Sequence, residues 1–271
     1  MEQSATTPST TGWRRVNRSD IEWEDTYPAG HSSVVPVRWL STQDPYIAEA
    51  KLSPSFVSLA HWHPFDTIYM FTEEGSMRMP AEPGEFSLDP VSEADDSVVA
   101  DGVRYQYGDI RWVRGGTPYG PELIGPEGSC FFVFSFGGEP TMGEGGAELA
   151  PVAADFGTPR HWRATLGEGE WHLMDRPDLD LEYQVLGDVG VHALFIRLGA
   201  DSVVPAHWCD EYTVIVPYRG SFTIEGEGAY ELGDVRICDR RTTYGPIRAG
   251  GEGAEFVQIS PNGPLFYNWI E

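Results

Sequence analysis

Short runs of β-branched and aromatic residues, broken by glycine and proline, dominate the pattern of hydrophobic positions along the chain. Two such runs, at 68–71 and 212–216, are each followed by a glycine and a second run, at 76–79 and 221–225. Pairs of this kind predict β-hairpins. The run at 131–136 is almost wholly aromatic or β-branched, which predicts a strand buried on both faces. Because no stretch combines a long helical period with capping residues, the pattern predicts an all-β fold.

The chain repeats itself. The segment GDIRWVRGGTPYGP at 108–121 corresponds to GDVRICDRRTTYGP at 233–246, an offset of 233 − 108 = 125 residues. Upstream, His61 corresponds to His207 at an offset of 207 − 61 = 146. The drop in offset places one insertion in the first copy, within 80–105, where seven acids stand against one arginine.

This duplication predicts two antiparallel barrels or sandwiches in one polypeptide. The predicted organisation is a flexible tail at 1–11, a first barrel at 12–140, a linker at 141–157 and a second barrel at 158–271. The acidic insertion near 80–105 belongs to the first barrel only. We expect it to lie near the mouth of that barrel, which makes the first barrel the expected working site.

The first copy carries a His-x-His pair and an acid directly before a predicted strand. Alternate residues of a strand point to the same side, so His61 and His63 are expected to face one interior, with Asp66 nearby. Two imidazoles and a carboxylate are the smallest set that holds Fe(II), Mn(II), Ni(II) or Zn(II). These three residues are therefore candidate metal ligands. The alternative is that one histidine caps a turn and that Asp66 only starts the strand.

The His-x-His pair, the acid, the hairpin glycine and the later Gly-Asp resemble the two-part signature of the cupins. The resemblance extends over both copies, so the chain is similar to a bicupin. It implies two tandem cupin-type double-stranded β-helix (jelly-roll) barrels. It also implies a divalent metal inside the barrel, which cupins commonly hold with three histidines and one glutamate.

The chain departs from this signature in the second motif. The family's histidine falls on Tyr119 in the first copy and on Tyr244 in the second. The second copy also replaces the second histidine of the pair with a cysteine. It therefore offers a weaker candidate metal site, made of His207, Cys209, Glu211 and Tyr244.

Three functions fit these residues. In the favoured one, a divalent metal in barrel 1, Fe(II) before Mn, Ni or Zn, binds His61, His63 and Asp66, with Tyr119 as a fourth ligand. The protein is then a dioxygenase acting on a small aromatic or enolisable carbonyl compound. In the second, no metal is bound, and Tyr119 with a histidine performs the acid–base chemistry of a lyase, isomerase or cyclase. In the third, the protein binds or senses a small molecule without turnover. The two tyrosines could also serve only in packing.

Composition narrows the partners and the compartment. With 42 acidic and 18 basic residues the net charge is −24, which disfavours nucleic acid and anionic membranes. The chain has no bilayer-length apolar run and no signal-peptide core, so a cytoplasmic monomer or homodimer with a small-molecule substrate is expected. Cys130, Cys209 and Cys238 show no paired spacing, which predicts reduced thiols.

Arg111 and Arg236 occupy equal places in the repeat, where they would bind a carboxylate or form a surface or inter-barrel salt bridge.

Overall fold

A computed structural model describes residues 12–26, 34–54, 56–58, 61–73, 75–79, 103–117, 119–141, 143–144, 161–176, 178–261 and 263–270. In these ranges the chain forms strands and one 3-10 helix, Arg18–Asp20, which confirms the predicted all-β class. No helix in them is long and apolar enough to cross a membrane. The predicted tail (1–11), most of the acidic insertion (80–102) and most of the linker (145–157) lie outside the described residues.

The strands are numbered in chain order. Those that precede the linker are β1 (Trp13–Asn17), β2 (Glu24–Thr26), β3 (Val35–Thr42), β4 (Tyr46–Leu52), β5 (Val57–Ser58), β6 (His61–Trp62), β7 (Asp66–Phe71), β8 (Ser76–Met79), β9 (Val103–Gln106), β10 (Asp109–Val113), β11 (Glu122–Ile124), β12 (Ser129–Phe136) and β13 (Gly143–Glu144). Those that follow are β14 (His161–Thr165), β15 (His172–Leu173), β16 (Leu181–Gly187), β17 (His192–Leu198), β18 (Val203–Val204), β19 (His207–Cys209), β20 (Thr213–Ile224), β21 (Gly228–Tyr230), β22 (Asp234–Cys238), β23 (Ile247–Ser260) and β24 (Tyr267–Trp269).

The two copies exchange their first strands. Strand β1 pairs with β22 and places Trp13 opposite Cys238, while β14 pairs with β10 and places Trp162 opposite Trp112. The compact units are therefore Ile21–Glu168, the first barrel, and Gly169–Glu271 together with the segment up to Asp20, the second barrel. This pairing corrects the predicted boundaries, because the strand at 13–17 completes the second barrel and the strand at 161–165 completes the first.

In the first barrel, antiparallel strands form a seven-stranded sheet and a four-stranded sheet. Their orders are β14-β10-β7-β12-β4-β3-β2 and β5-β11-β8-β9. Side chains alternate across β7, so Tyr69 and Phe71 face the core beside Phe131 of β12, whereas Ile68 and Met70 lie on the opposite face. Every residue of β12 is buried, as its composition predicts.

In the second barrel, the main sheet has the order β1-β22-β20-β23-β17-β16-β15, and β18 and β21 pair with β23 and β20. Two long strands, β20 and β23, pair along most of their length with register shifts, one of them between Pro217 and Arg219. Such irregularities bend a strand pair. The core of this barrel includes Ile215, Phe222 and Phe256.

The hairpin glycine has the same backbone role in both barrels. Gly75 and Gly220 have φ values of 130° and 65°, and a Cβ atom on either would overlap a backbone carbonyl oxygen, that of Gly128 or Gly253.

We expect Gly220→Ala to lower the free energy of unfolding in urea by more than ~1 kcal/mol. Gly226→Ala is the matched control, because Gly226 also has positive φ, 83°, but faces open space. Equal losses in the two variants would contradict the steric explanation.

Candidate functional site

The first barrel encloses a cavity of about 390 Å³. Its wall is largely apolar, with Trp39, Phe56 and Phe131 among the lining side chains. The polar side chains in the interior part of the wall are Ser58, His61, His63, Tyr69 and Glu122. A cavity of this size with a few convergent polar groups is typical of a small-molecule site.

The tyrosine of the repeated Thr-x-Tyr-Gly-Pro motif is fixed against the first histidine of each copy. The backbone amides of His61 and Tyr119 each donate to the other residue's carbonyl oxygen at 2.9 Å, and their rings lie 4.6 Å apart. His207 and Tyr244 repeat this double bond at 3.0 Å, with rings 4.4 Å apart. The motif therefore sets the loop after β10 or β22 against the histidine strand, a structural function that both copies share.

In the first barrel a chain of hydrogen bonds runs from Tyr119 to the second histidine. The Nδ1 atom of His63 lies 3.0 Å from the carbonyl oxygen of Thr141, which only accepts, so Nδ1 carries the proton. Nε2 of His63 then accepts from the hydroxyl of Tyr69 at 2.9 Å. The oxygen of Tyr69 is left to accept from the hydroxyl of Tyr119. Tyr69 thus becomes an oriented donor in the cavity wall, with Tyr119 bonded to its oxygen.

Burial keeps these groups uncharged at neutral pH. It lowers the pKa of His63 to about 3, and the neighbouring His61 acts in the same direction. Burial also raises the pKa of Tyr69 and of Tyr119 above that of an ordinary phenol, and the nearby charge of Glu122 adds to both shifts. Protons in this chain are therefore shared between neutral groups.

Glu122 is the buried carboxylate of the cavity wall. It begins β11, where it lies opposite Ser58 of β5, and it is only 5% exposed. The sequence prediction did not include it. The signal that could have found it is the repeat itself, because the 125-residue offset aligns Glu122 with Ile247 (247 − 122 = 125). The ladder confirms that alignment, since Ile247 lies opposite Val204, the residue equivalent to Ser58.

Both repeated arginines are buried, and neither forms the predicted surface salt bridge. The guanidinium of Arg111 lies 4.7 Å from the ring centre of Tyr119, and that of Arg236 lies 4.1 Å from the ring centre of Tyr244. Arg236 also donates two hydrogen bonds, of 2.7 and 2.6 Å, to Glu227. The hairpin that holds Glu227 corresponds to the part of the first copy that contains the insertion, outside the described residues.

Asp66 does not join His61 and His63. Its carboxylate accepts from the indole nitrogen of Trp112 at 3.2 Å and from the backbone amide of Gly115 at 2.9 Å. The cause is the two-residue period of β7, which sends Asp66 to the face opposite that of Tyr69. The predicted triad of two histidines and Asp66 is therefore wrong, and Asp66 instead secures the loop after β10.

The second candidate site is also not assembled. Glu211 pairs with Arg240 at 3.3 Å, and the side chain of that arginine is 61% exposed. Cys209 lies 3.8 Å from the hydroxyl of Tyr244, and burial raises the pKa of its thiol to about 11. The thiol is therefore protonated at neutral pH and suits neither a ligand nor a nucleophile. All three cysteines are buried and outside disulfides, as predicted for reduced thiols.

The residues present do not fit the metal that the cupin resemblance implies. The third-histidine position holds a buried neutral phenol, Tyr119, the acid points elsewhere, and both nitrogens of His63 already have hydrogen-bond partners. Among the described residues, one group of three or more His, Cys, Asp or Glu has ligand atoms within 4.8 Å of one another. That group is Glu49, Glu73 and Cys130, and it includes neither histidine of the pair.

Comparison of the copies separates shared structure from what is particular to the first barrel. The histidine, tyrosine and arginine are shared. Four cavity residues differ, with Ser58, His63, Tyr69 and Glu122 in the first barrel matched by Val204, Cys209, Ile215 and Ile247 in the second. In the second barrel the ring of His207 packs against Tyr244, Tyr267 and Trp269 at 4.4 to 5.3 Å between ring centres. The second barrel is therefore a more apolar copy.

The buried His207 gives the second barrel a pH-dependent stability. Burial lowers its pKa from 6.5 to about 4, and the nearby Arg236 contributes. Between pH 6.5 and about pH 4 the unfolded chain binds the proton more readily than the folded chain does. The free energy of unfolding is therefore highest above about pH 6.5 and falls as the pH drops below that value. At about pH 5 the loss is about 2 kcal/mol, from 1.36 kcal/mol per pH unit. Between about pH 7.5 and about pH 5, we expect the free energy of unfolding of His207→Gln to fall by about 2 kcal/mol less than that of the unmodified protein. Urea unfolding at the two pH values measures the difference. An unchanged loss in the variant would contradict this assignment.

No protein-family model and no curated protein matches the sequence. Solved structures match it over almost its whole length. The oxalate decarboxylase of Lactobacillus farciminis, in its formate complex, is 13% identical with a TM-score of 0.61, over 98% of this chain and 90% of that one. A Nostoc punctiforme protein proposed to be a dioxygenase is 10% identical with a TM-score of 0.73, over 97% and 88%. The Bacillus subtilis oxalate decarboxylase, which has Mn(II) centres, is 13% identical with a TM-score of 0.61, over 98% and 80%.

At these identities the likeness concerns the fold. It agrees with the all-β architecture and with the two compact barrels of this chain. The chain has the bicupin fold, two cupin jelly-roll barrels in one polypeptide.

Proposed function

We propose that the first barrel is the active site of a metal-independent enzyme that transfers protons on a small carbonyl compound, as an isomerase, lyase or cyclase does. The observation that supports it is the polar set confined to this barrel, above all Glu122 and Tyr69 in one largely apolar cavity. A base and a hydrogen-bond donor in a low-dielectric site are the minimum for proton abstraction beside a carbonyl.

In the proposed reaction, the Glu122 carboxylate accepts a proton from the carbon next to the substrate carbonyl. The electrons of that C–H bond form the enolate, and its oxygen accepts a hydrogen bond from the hydroxyl of Tyr69. The proton returns from Glu122 to another carbon in an isomerase. In a lyase the enolate expels a leaving group, which takes up the proton. In a cyclase the enolate carbon adds to an electrophilic double-bonded carbon of the same molecule, and the atom that receives the π electrons of that double bond takes up the proton from Glu122. Each route conserves protons and electrons and needs no redox partner.

Tyr119 and His63 act through Tyr69. Tyr119 donates to the Tyr69 oxygen, which polarises the Tyr69 hydroxyl and strengthens it as a donor. In the resting site, Nε2 of His63 accepts a hydrogen bond from the Tyr69 hydroxyl and so keeps that hydroxyl oriented. A substrate oxygen then replaces Nε2 as the acceptor. Both are positioning residues, whereas the sequence prediction gave Tyr119 and the two histidines the direct catalytic function.

Tyr69→Phe tests this assignment with 1-tetralone, an uncharged enolisable ketone, as the probe. The rate of α-proton exchange in heavy water, followed by NMR, should exceed that of the buffer and should fall about 10² to 10³-fold in the variant. The reason is that the enolate oxygen loses its buried donor.

Tyr244→Phe is the control, since it removes a buried phenol of the second barrel, the equivalent of Tyr119, and should leave the exchange unchanged. Dialysis against a chelator should also leave it unchanged. Loss of exchange on chelation would overturn the metal-independent reaction, because it would show that a bound metal is required. Tight binding of the ketone without exchange would indicate a binding or sensor protein.

A further inference from the structure

The described lining residues of the first-barrel cavity include two glutamates and neither lysine nor arginine. Glu122 is buried in the wall, and the exposed Glu139 lies at its edge. The two histidines of the wall already have hydrogen-bond partners. Nδ1 of His61 lies 3.2 Å from Oγ of Ser58, and the two ring nitrogens of His63 contact Thr141 and Tyr69. A bound anion would therefore lie in a low-dielectric space beside a carboxylate.

The nearest buried cation, Arg111, does not line the cavity. Arg111 is 1% exposed and its guanidinium lies 4.7 Å from the ring centre of Tyr119. Neither Arg111 nor Tyr119 is among the described residues of the cavity wall, which Tyr69 reaches instead. The guanidinium therefore offers no hydrogen bond to a molecule in the cavity, and an anion there would find no arginine or lysine among the described wall residues to bind it directly.

The rest of the wall favours an apolar ring. Aromatic faces come from Trp39, Phe56 and Phe131, and β-branched side chains such as Val37 and Val133 fill the space between them. Burying an apolar molecule against such a wall is favourable in proportion to the area removed from water. Burying a carboxylate there, unpaired, costs several kcal/mol.

We infer that the substrate is an uncharged, predominantly apolar ring compound with one ketone or similar carbonyl group, and that carboxylates are excluded. The presence of a carbonyl group in the substrate rests on the proposed function. The absence of charge and the apolar character of the substrate rest on the cavity alone. It separates this chain from the oxalate decarboxylases, which share its fold and whose named substrate is a dicarboxylate.

Binding measurements on the full chain test the inference separately from catalysis. By titration calorimetry, 1-tetralone should bind at least about tenfold more tightly than 1-naphthoate, an anion of similar size, because the anion meets a like charge. In Glu122→Gln the affinity for 1-naphthoate should rise about tenfold, while that for 1-tetralone should change little. The ratio of the two affinities is the quantity of interest, so a general loss of folded protein would not imitate it.

Glu127→Gln is the control, since it removes the same charge from an exposed turn of the same barrel. It should leave the affinity ratio unchanged, and an equal change in both variants would overturn the inference, because net charge would then be the cause. Preference for 1-naphthoate in the unmodified protein, or preference for an organic cation such as trimethylanilinium over 1-tetralone, would also overturn it. Failure of the proposed function appears elsewhere, as ketone binding without α-proton exchange.

Discussion

Glu122→Gln should abolish measurable exchange of the α-protons of 1-tetralone, a fall of about 10² to 10⁴-fold that corresponds to the loss of a general base. The amide has almost the same shape and still fits β11 opposite Ser58, so the barrel should fold as before. What is lost is the group that accepts the proton. The measurement is the exchange rate in heavy water, with the circular dichroism spectrum as the check on the fold.

The control for that variant is Glu127→Gln, which lies outside the cavity and should retain the exchange rate. If Glu122→Gln retained more than about a tenth of the exchange rate, the fall in rate would be smaller than removal of a general base usually causes. It would mean that another group accepts the proton, and the assignment of Glu122 would be wrong.

Arg236→Met should strongly destabilise the second barrel, with a loss of about 3–5 kcal/mol in the free energy of unfolding. The arginine side chain is 0% exposed and that of Glu227 is 3% exposed, and the two are joined by hydrogen bonds of 2.7 and 2.6 Å. Removing one partner leaves a buried carboxylate without its counter-charge. Urea unfolding at neutral pH measures the loss.

Two further variants show whether the unpaired charge is the cause. Arg219→Met removes an arginine that is 65% exposed in its pair with Glu255, and it should cost about 0–1 kcal/mol. The double variant Arg236→Met with Glu227→Leu removes both buried charges and should recover much of the stability. If the double variant is less stable than Arg236→Met alone, the unpaired charge is not what destabilises the single variant.

Much of the fold could be predicted because the periodic features of the sequence are local. The runs at 68–71 and 76–79 lie on strands that begin within two residues of them, and the apolar run at 131–136 lies on a wholly buried strand. The exchange of β1 and β14 could not be predicted. A repeat offset shows which residues are equivalent, but exchanged and unexchanged pairings present the same local pattern of hydrophobic residues.

The site was predicted in part. His61, His63 and Tyr119 do come together around one interior, as the motif spacing predicts. Asp66 was assigned by nearness in sequence, whereas the strand period decides its side, and Glu122 came from a strand that no motif identified. Comparison with the second copy supplies the criterion that the motifs lack. Where a buried polar residue of one barrel has an apolar equivalent in the other, packing of the barrel does not require the polar side chain.

The exchanged strand β1 has a consequence for how the chain can be shortened. A fragment that begins after Asp20 keeps all the strands of the first barrel and removes the outermost strand of the second, whose partner β22 lies more than two hundred residues away (234 − 17 = 217). The amide and carbonyl groups of β22 would then form an open sheet edge, which invites pairing with other molecules. Trimming the N-terminus therefore endangers the C-terminal barrel, and the linker is not a place where the two copies can be cut apart intact.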